Sequence, residues 1–150
     1  MTDLHMRPAT PADLPEIVAM FADDDLGRGR ETLDDMTPYL AAFERVAADP
    51  GQHVVVAEQD GRLVGVLQLS VIPGLSRRGA TRSIIEAVRV HRSARGGGLG
   101  TAMIEWAVEE SRRLDCALVQ LTSDVSRTDA HRFYERLGFT GSHVGFKMQL

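Results

Sequence analysis

The 150-residue sequence predicts an α+β layered fold around one mixed sheet, with elements in the order β-αα-βββ-α-β-α-β. Three observations carry that expectation. Helical-period segments are interspersed with runs of period two. Two apolar runs flank the turn Gln59-Asp60-Gly61-Arg62, which reads as a hairpin. A cluster of glycines sits between a strand-like and a helix-like segment. The length suits one domain that buries most of its apolar surface, so residues 1–150 are expected to form a single domain.

The opening LHMRPA alternates and reads as a strand. Thr10-Pro11-Ala12-Asp13 has the residues of a helix start, with Thr10 as cap, Pro11 at the first helical position and Asp13 three residues on. Leu14, Ile17, Val18 and Phe21 then share one helical face. Asp23-Asp24-Asp25 and Gly27 end that helix and open a loop to Arg30, and a second helix is expected from Thr32 to Ala48. Strands follow at His53–Glu58, Leu63–Ile72 and Ser83–Val90, the last two separated by a basic loop after Pro73-Gly74. Thr101–Arg113 reads as an amphipathic helix, Ala117–Thr122 as a strand and Thr128–Leu137 as a final helix, with Thr128 and Asp129 as its cap. His143–Leu150 alternates and is expected to be the last strand.

Composition excludes several classes. At 43% hydrophobic and 25% charged residues the chain is neither disordered nor low in complexity. A single cysteine, Cys116, excludes a disulfide framework and a multi-cysteine zinc site. The five histidines lack metal-ligand spacing, so no metal is expected. No apolar run is long enough to span a bilayer and the start has no signal-peptide pattern, which predicts a cytoplasmic protein without membrane contact.

The net charge of −4 is unevenly spread. Six arginines and one acid, Glu86, lie between Gly74 and Gly98, a stretch suited to an anionic ligand. Against this, the chain uses sixteen arginines and one lysine, so single arginines mean little and only their clustering counts. The overall acidity and the few aromatics argue against nucleic acid.

Arg95-Gly96-Gly97-Gly98-Leu99-Gly100 is the strongest local signal. Glycines remove side chains, so backbone N–H groups at a helix start can converge on an anion with the helix dipole behind them. A Walker loop would need Gly-Lys-Ser/Thr, and the dinucleotide fingerprint a third glycine in register, and neither is present. The alternative reading is a flexible loop.

Further motifs favour the anion site. The chain resembles the GNAT superfamily of N-acetyltransferases over essentially its whole length. That family's Gln/Arg-x-x-Gly-x-Gly/Ala loop is matched by Arg95, Gly98 and Gly100, and its V-x-V strand by Val88-Arg89-Val90. Its A-x-x-F-Y-E-x-L-G-F signature is matched by Ala130 to Phe139. The opening RPAT-PADLPEI also looks like the family's first strand and helix.

The resemblance implies a mostly antiparallel sheet flanked by helices, with the central strand splayed from its neighbour by a bulge. It implies acetyl-CoA as cosubstrate. The pantetheine arm would lie along Val88, Arg89 and Val90, and the pyrophosphate on the backbone of Gly96, Gly97, Gly98, Leu99, Gly100 and Thr101. Arg95 would reach a phosphate and Arg92 or Arg127 the 3′-phosphate, the last two being otherwise solvated charges. Tyr134 would protonate the departing thiolate, or else pack beside Phe133 and Leu137. Glu86 would deprotonate the acceptor amine, or else pair with Arg82 or Arg89. Ala87 stands where some relatives carry an aspartate. The family's asparagine near the CoA arm is absent from Ser123 to Asp129, with Ser126 or Arg127 as substitutes.

The expected function is direct acetyl transfer from acetyl-CoA to a small amine. The loops Asp23–Arg30 and Pro73–Arg82 would frame the acceptor, whose identity stays open. The alternative is an acyl-CoA-binding sensor or interaction module without catalysis. A homodimer is common among such folds and is left open by analogy. Cys116 is read as a core residue, not a nucleophile.

Overall fold

The computed structural model describes residues 3–24 and 27–150. Asp25 and Leu26, part of the expected acceptor loop, lie outside the described residues, as do Met1 and Thr2. The strands are β1 (His5–Pro8), β2 (Gln52–Gln59), β3 (Arg62–Ile72), β4 (Arg82–Val90) and β5 (Leu118–Gln120). The helices are α1 (Leu14–Ala22), α2 (Thr37–Ala48), the single turn α3 (Ser76–Gly79), α4 (Leu99–Arg113) and α5 (Thr128–Arg136). The sheet order is β1-β2-β3-β4-β5. Its first three pairings are antiparallel and β4–β5 is parallel.

Period two in β2 and β3 sorts side chains onto two faces. Val55, Leu67 and Leu69 meet Met103, Ile104 and Ala107 of α4, whereas Val56 and Val66 meet Ile17 and Met20 of α1. Each fully buried aliphatic residue contributes about 1.5–3 kcal/mol. Asp60 and Gly61 both take positive φ, +53° and +72°, which closes the β2–β3 hairpin with the twist its strands require. Gly65 has a packing role that the sequence concealed. A Cβ there would stand 2.5 Å from the sulfur of Met103, so α4 crosses β3 over bare backbone.

One irregularity positions the site. Val66 faces Arg89 and Gln68 faces Glu86, so Leu67 alone opposes both Ala87 and Val88. This is the bulge that the resemblance implied. Ala87 absorbs the extra residue with φ +53°, a left-handed conformation that costs a non-glycine residue about 1–2 kcal/mol. The β4–β5 ladder runs only from Arg82↔Leu118 to Ile84↔Gln120, after which the strands diverge.

Three expectations need correction. The second helix starts at Thr37, not Thr32, because Thr32 Oγ1 and Asp35 Oδ1 accept from the N–H groups of Asp34 and Thr37 and hold a turn there. The strand at Ala117–Thr122 shortens to Leu118–Gln120 because its partner turns away. His143–Leu150 forms no strand: it has the alternation but no ladder, and its apolar side chains are exposed.

At the other end of the chain, Arg7 clamps the start of the first helix. Its guanidinium reaches both Asp13 oxygens, at 2.7 and 2.9 Å, and Glu58 at 2.8 Å. The Asp13 carboxylate also accepts the Thr10 N–H at 2.7 Å. The Arg7 hydrogen bond, opposed by partial burial, brings the Asp13 pKa down to about 2. A depressed carboxylate pKa stabilises the fold above the unfolded value and is lost as pH falls through the folded one. Asp13→Asn is therefore expected to lower stability by about 1–2 kcal/mol at neutral pH, solvent screening included. The deficit should shrink between pH 4 and pH 2. Urea unfolding across that range checks it, and an unchanged deficit at pH 2 would contradict it.

Candidate active site

The glycine cluster folds as a cradle at the start of α4. Gly96 and Gly98 have φ of +85° and +79°, and Gly98 is the left-handed residue that caps the helix. The first helical bond runs from the Ala102 N–H to Gly98 O, so the N–H groups of Leu99, Gly100 and Thr101 have no partner within the helix. They face a cavity of about 250 Å³ bounded by Val90 of β4, Arg95 and Phe133 of α5. A Cβ on Gly100 would project towards Phe133 and Val90, two of the walls. Unpaired N–H groups, a helix dipole and bare backbone fit a phosphate.

The cradle continues along β4. The His91 N–H donates to Val64 O of β3 at 2.8 Å, which turns the polar groups of Val90, one residue earlier, to the opposite edge. There β5 has already departed. Guanidinium groups, not a neighbouring strand, hold the carbonyls of this stretch. Val88 O accepts from Arg89 at 2.9 Å and Val90 O from Arg95 at 3.1 Å. The edge can receive an extended ligand by strand addition.

The arginines lean towards α1. Arg89 Nε lies 2.7 Å from an Asp24 carboxylate oxygen, and its guanidinium stands 5.8 Å over the ring of Phe21. That Nε–H is not aligned for a hydrogen bond, so the contact is a charge pair. Arg92 and Arg95 flank the Asp23 carboxylate at 3.5 and 3.7 Å, loose contacts worth at most about 1 kcal/mol. Sequence reasoning missed these acids as partners, since nothing in their spacing ties the end of α1 to β4.

Tyr134 stands on α5, half-buried, its ring edge-on to Phe133 at 5.1 Å and Phe139 at 6.0 Å. Burial pushes its phenol above the ordinary value, against the opposing charges of Arg127 and Arg89. The hydroxyl thus carries its proton at neutral pH. Arg127 occupies the cap position of α5, where Thr128 was expected, and Asp129 pairs with Arg132 within the helix. Ser126 spends its hydroxyl and N–H on Asp124, at 2.6 and 2.9 Å.

Glu86 is exposed on β4 just before the bulge, opposite Gln68. Among the described residues it makes no ion pair with Arg82 or Arg89, because Arg89 is taken by Asp24. Gln68 donates to Gln52 at 2.9 Å, and Ser70 to the same oxygen at 2.7 Å, a polar row beside the carboxylate. Next to Glu86, Ala87 borders a second cavity of about 120 Å³ between the sheet and α1–α2. Its walls include Phe21, Tyr39, Phe43, Val46 and Gln68. This apolar pocket was not foreseen. Burial raises the Cys116 thiol, which suits a structural residue. Among the described residues no group of three or more His, Cys, Asp or Glu is placed to hold a metal ion, and no helix is long and apolar enough to cross a membrane.

Residues 15–139 match the Acetyltransferase (GNAT) family. The chain belongs to this family. Similar proteins extend along nearly all of it. The aminoalkylphosphonate N-acetyltransferase of Salmonella typhimurium is 32% identical, covering 97% of this chain and 91% of that protein. The glucosamine 6-phosphate N-acetyltransferase of Trypanosoma brucei brucei is 38% identical over 60% of this chain and 59% of its own. The crystal structure of a transcriptional regulator from Bacillus halodurans C-125 superposes with a TM-score of 0.94 at 42% identity, covering 99% of this chain and 100% of that one. GNAT acetyltransferases use acetyl-CoA and an amine acceptor.

If the glycine cradle seats the CoA phosphates, Gly98→Glu places a carboxylate and a strained φ where they would rest. Calorimetry is expected to find no acetyl-CoA binding to a variant that retains its circular dichroism spectrum. Near-native affinity in the folded variant would contradict the assignment.

Proposed function

We propose that this GNAT protein transfers an acetyl group directly from acetyl-CoA to the amine of a small molecule, acting in the cytoplasm. One observation carries the reading. Two separate cavities reach β4 three residues apart, the glycine cradle at Val90 and the apolar pocket at Ala87, with the bulge between them.

In this reading the pantetheine arm adds to the bare edge of β4 along Val88, Arg89 and Val90, displacing the guanidinium groups from the two carbonyls. The pyrophosphate rests on N–H groups from Gly96 through Thr101. Arg95 leaves Asp23 for a phosphate, and Arg92 or Arg127 meets the 3′-phosphate. The acceptor enters from the α1–α2 side, its body in the apolar pocket and its nitrogen beside Glu86.

An amine is an ammonium ion at neutral pH and attacks only after losing a proton. Glu86 takes that proton through a water molecule, consistent with its exposure. The nitrogen then attacks the thioester carbon, whose oxygen is polarised by a backbone N–H of β4 near Val88. The new C–N bond forms as the C–S bond breaks, and the Tyr134 hydroxyl passes its proton to the departing sulfur. The nitrogen sheds its second proton to solvent to give the amide, Glu86 releases the proton it took, and Tyr134 regains one from solvent, so each turnover releases one proton net.

Two of the relatives are named for a phosphonate and a phosphate acceptor. The basic turn with Arg77 and Arg78 and the apolar pocket pull in different directions, so the acceptor is proposed only as a small amine. The regulator from Bacillus halodurans favours a second reading, a sensor that binds acyl-CoA without turnover.

Kinetics of two variants test the roles. Tyr134→Phe is expected to lower kcat about 100-fold with the KM for acetyl-CoA nearly unchanged. Glu86→Gln should reduce kcat/KM most at low pH, where free amine is scarce, and progressively less as pH rises. A loss below about threefold for Tyr134→Phe, set against general acid catalysis, would return that residue to packing. A Glu86→Gln loss equally large from low to high pH would make Glu86 structural.

A further inference from the structure

The gap between the sheet and the two helices α1 and α2 is larger than packing alone explains. Protein interiors hold few voids bigger than a water molecule, yet this one measures about 120 Å³. α2 turns Tyr39, Ala42, Phe43 and Val46 towards it, at the spacing i, i+3, i+4 and i+7. A stripe of that kind is normally buried, but no residue of α2 is fully buried. The helix stands over a space that its own chain leaves open.

The polar groups at the wall narrow what could enter. The Tyr39 hydroxyl accepts from the Thr32 N–H at 3.0 Å and donates to Glu31 at 3.3 Å, so the pocket meets its ring. Gln68 donates its amide N–H to Gln52 at 2.9 Å and keeps its carbonyl oxygen for a donor. Glu86 is the ladder partner of Gln68, and directly opposed residues share a face with α carbons about 4.5–5.5 Å apart. Two acceptors, one of them charged, therefore stand side by side at the rim. An ammonium group, with a positive charge and three N–H donors, complements both.

An anionic group finds no partner within reach. Among the described residues, no side chain lining the pocket is charged. Arg89, on the same face, is neutralised by Asp24 at 2.7 Å and donates to Val88 O at 2.9 Å. The next guanidinium on that face, Arg82, starts four residues along β4 from Glu86, about 13 Å away. It lies 4.0 Å from where a Cβ on Gly74 would stand, towards the turn. Arg77 and Arg78 are exposed in that turn. At roughly 1.5 Å per bond, a phosphorus three or four bonds from the nitrogen falls well short of Arg82.

We propose that this pocket selects a primary amine with a compact, uncharged apolar body, a branched aliphatic chain or a single ring, whose ammonium group is held by Gln68 and Glu86. The proposal rests on the transfer reading above and names the class of acceptor for it. An apolar cavity of about 150 Å³ admits benzene, so one of about 120 Å³ that opens at its rim admits a body of about four to six carbons. Charge sets one end of the ligand and volume the other. Gln68 is then a specificity-determining residue, on a strand whose sequence pattern gave no sign of it.

Calorimetry on the full chain saturated with CoA, run beside turnover with acetyl-CoA, tests this with methylamine, propylamine, isopentylamine, benzylamine, octylamine and 2-aminoethylphosphonate. Affinity is expected to rise about fourfold per methylene as far as isopentylamine and benzylamine, and to stop rising at octylamine. The phosphonate, whose anion has no partner, is expected to bind about tenfold more weakly than isopentylamine, or worse. Ala42→Leu fills the pocket from α2 and is expected to flatten the series while acetyl-CoA affinity stays unchanged. Amines that bind in this order without being acetylated would uphold the pocket and overturn the transfer reading. Preference for the phosphonate would overturn the proposal while turnover upholds the transfer reading. Affinity independent of chain length, a series untouched by Ala42→Leu, or no binding by any probe would also overturn the proposal.

Discussion

Opposite Leu67, β4 spends two residues where β3 spends one, and the site is arranged around that mismatch. The extra residue, Ala87, can be absorbed only by a left-handed turn of the backbone, and the turn swings the second half of β4 away from β5. A regular parallel ladder would have consumed the polar groups of Val88 and Val90. With β5 gone, they line an edge that leads straight into the glycine turn of α4. Backbone strain of about 1–2 kcal/mol at Ala87 is thus exchanged for a strand edge inside a folded domain, where it is shielded from other sheets.

Electrostatics follow the same geometry. The edge and the cradle are rich in arginine, and the acids just after α1 occupy those arginines: Asp24 at Arg89, Asp23 at Arg92 and Arg95. Arg89 is held tightly against Phe21 and Asp24, while Arg92 and Arg95 are held loosely and outward. The loose pair sits nearest the cradle, where phosphate would compete with a single shared carboxylate. The tight pair ties α1 to the strand that forms the floor of both cavities.

Much of this was legible from residues alone. Strand and helix periods identified the elements to within one or two residues, apart from the bounds of α2 and β5 and the turn α3, which reads as loop, and the run from Arg95 to Gly100 marked the turn before α4, where glycine relieves the positive φ at Gly96 and Gly98. The bulge followed from resemblance and not from chemistry, since nothing about Ala87 as a residue asks for a left-handed turn. The Gly65–Met103 contact, the apolar pocket and the Asp24–Arg89 pair join positions far apart in sequence, and local pattern carries no record of them. The last eight residues show the opposite failure. Their alternation is genuine, but alternation specifies a buried face and not the chain that buries it.

The two cavities that meet β4 at the bulge are proposed as the two substrate sites of one transfer reaction. The most direct measurement is release of free CoA thiol from acetyl-CoA, followed spectrophotometrically with a panel of small amines that spans phosphonates, amino-sugar phosphates and apolar amines. Thiol release is expected to depend on at least one amine, with the acetylated amine found by mass spectrometry in equal amount. Tight acetyl-CoA binding with no amine-dependent release across the panel would contradict it and favour a sensor.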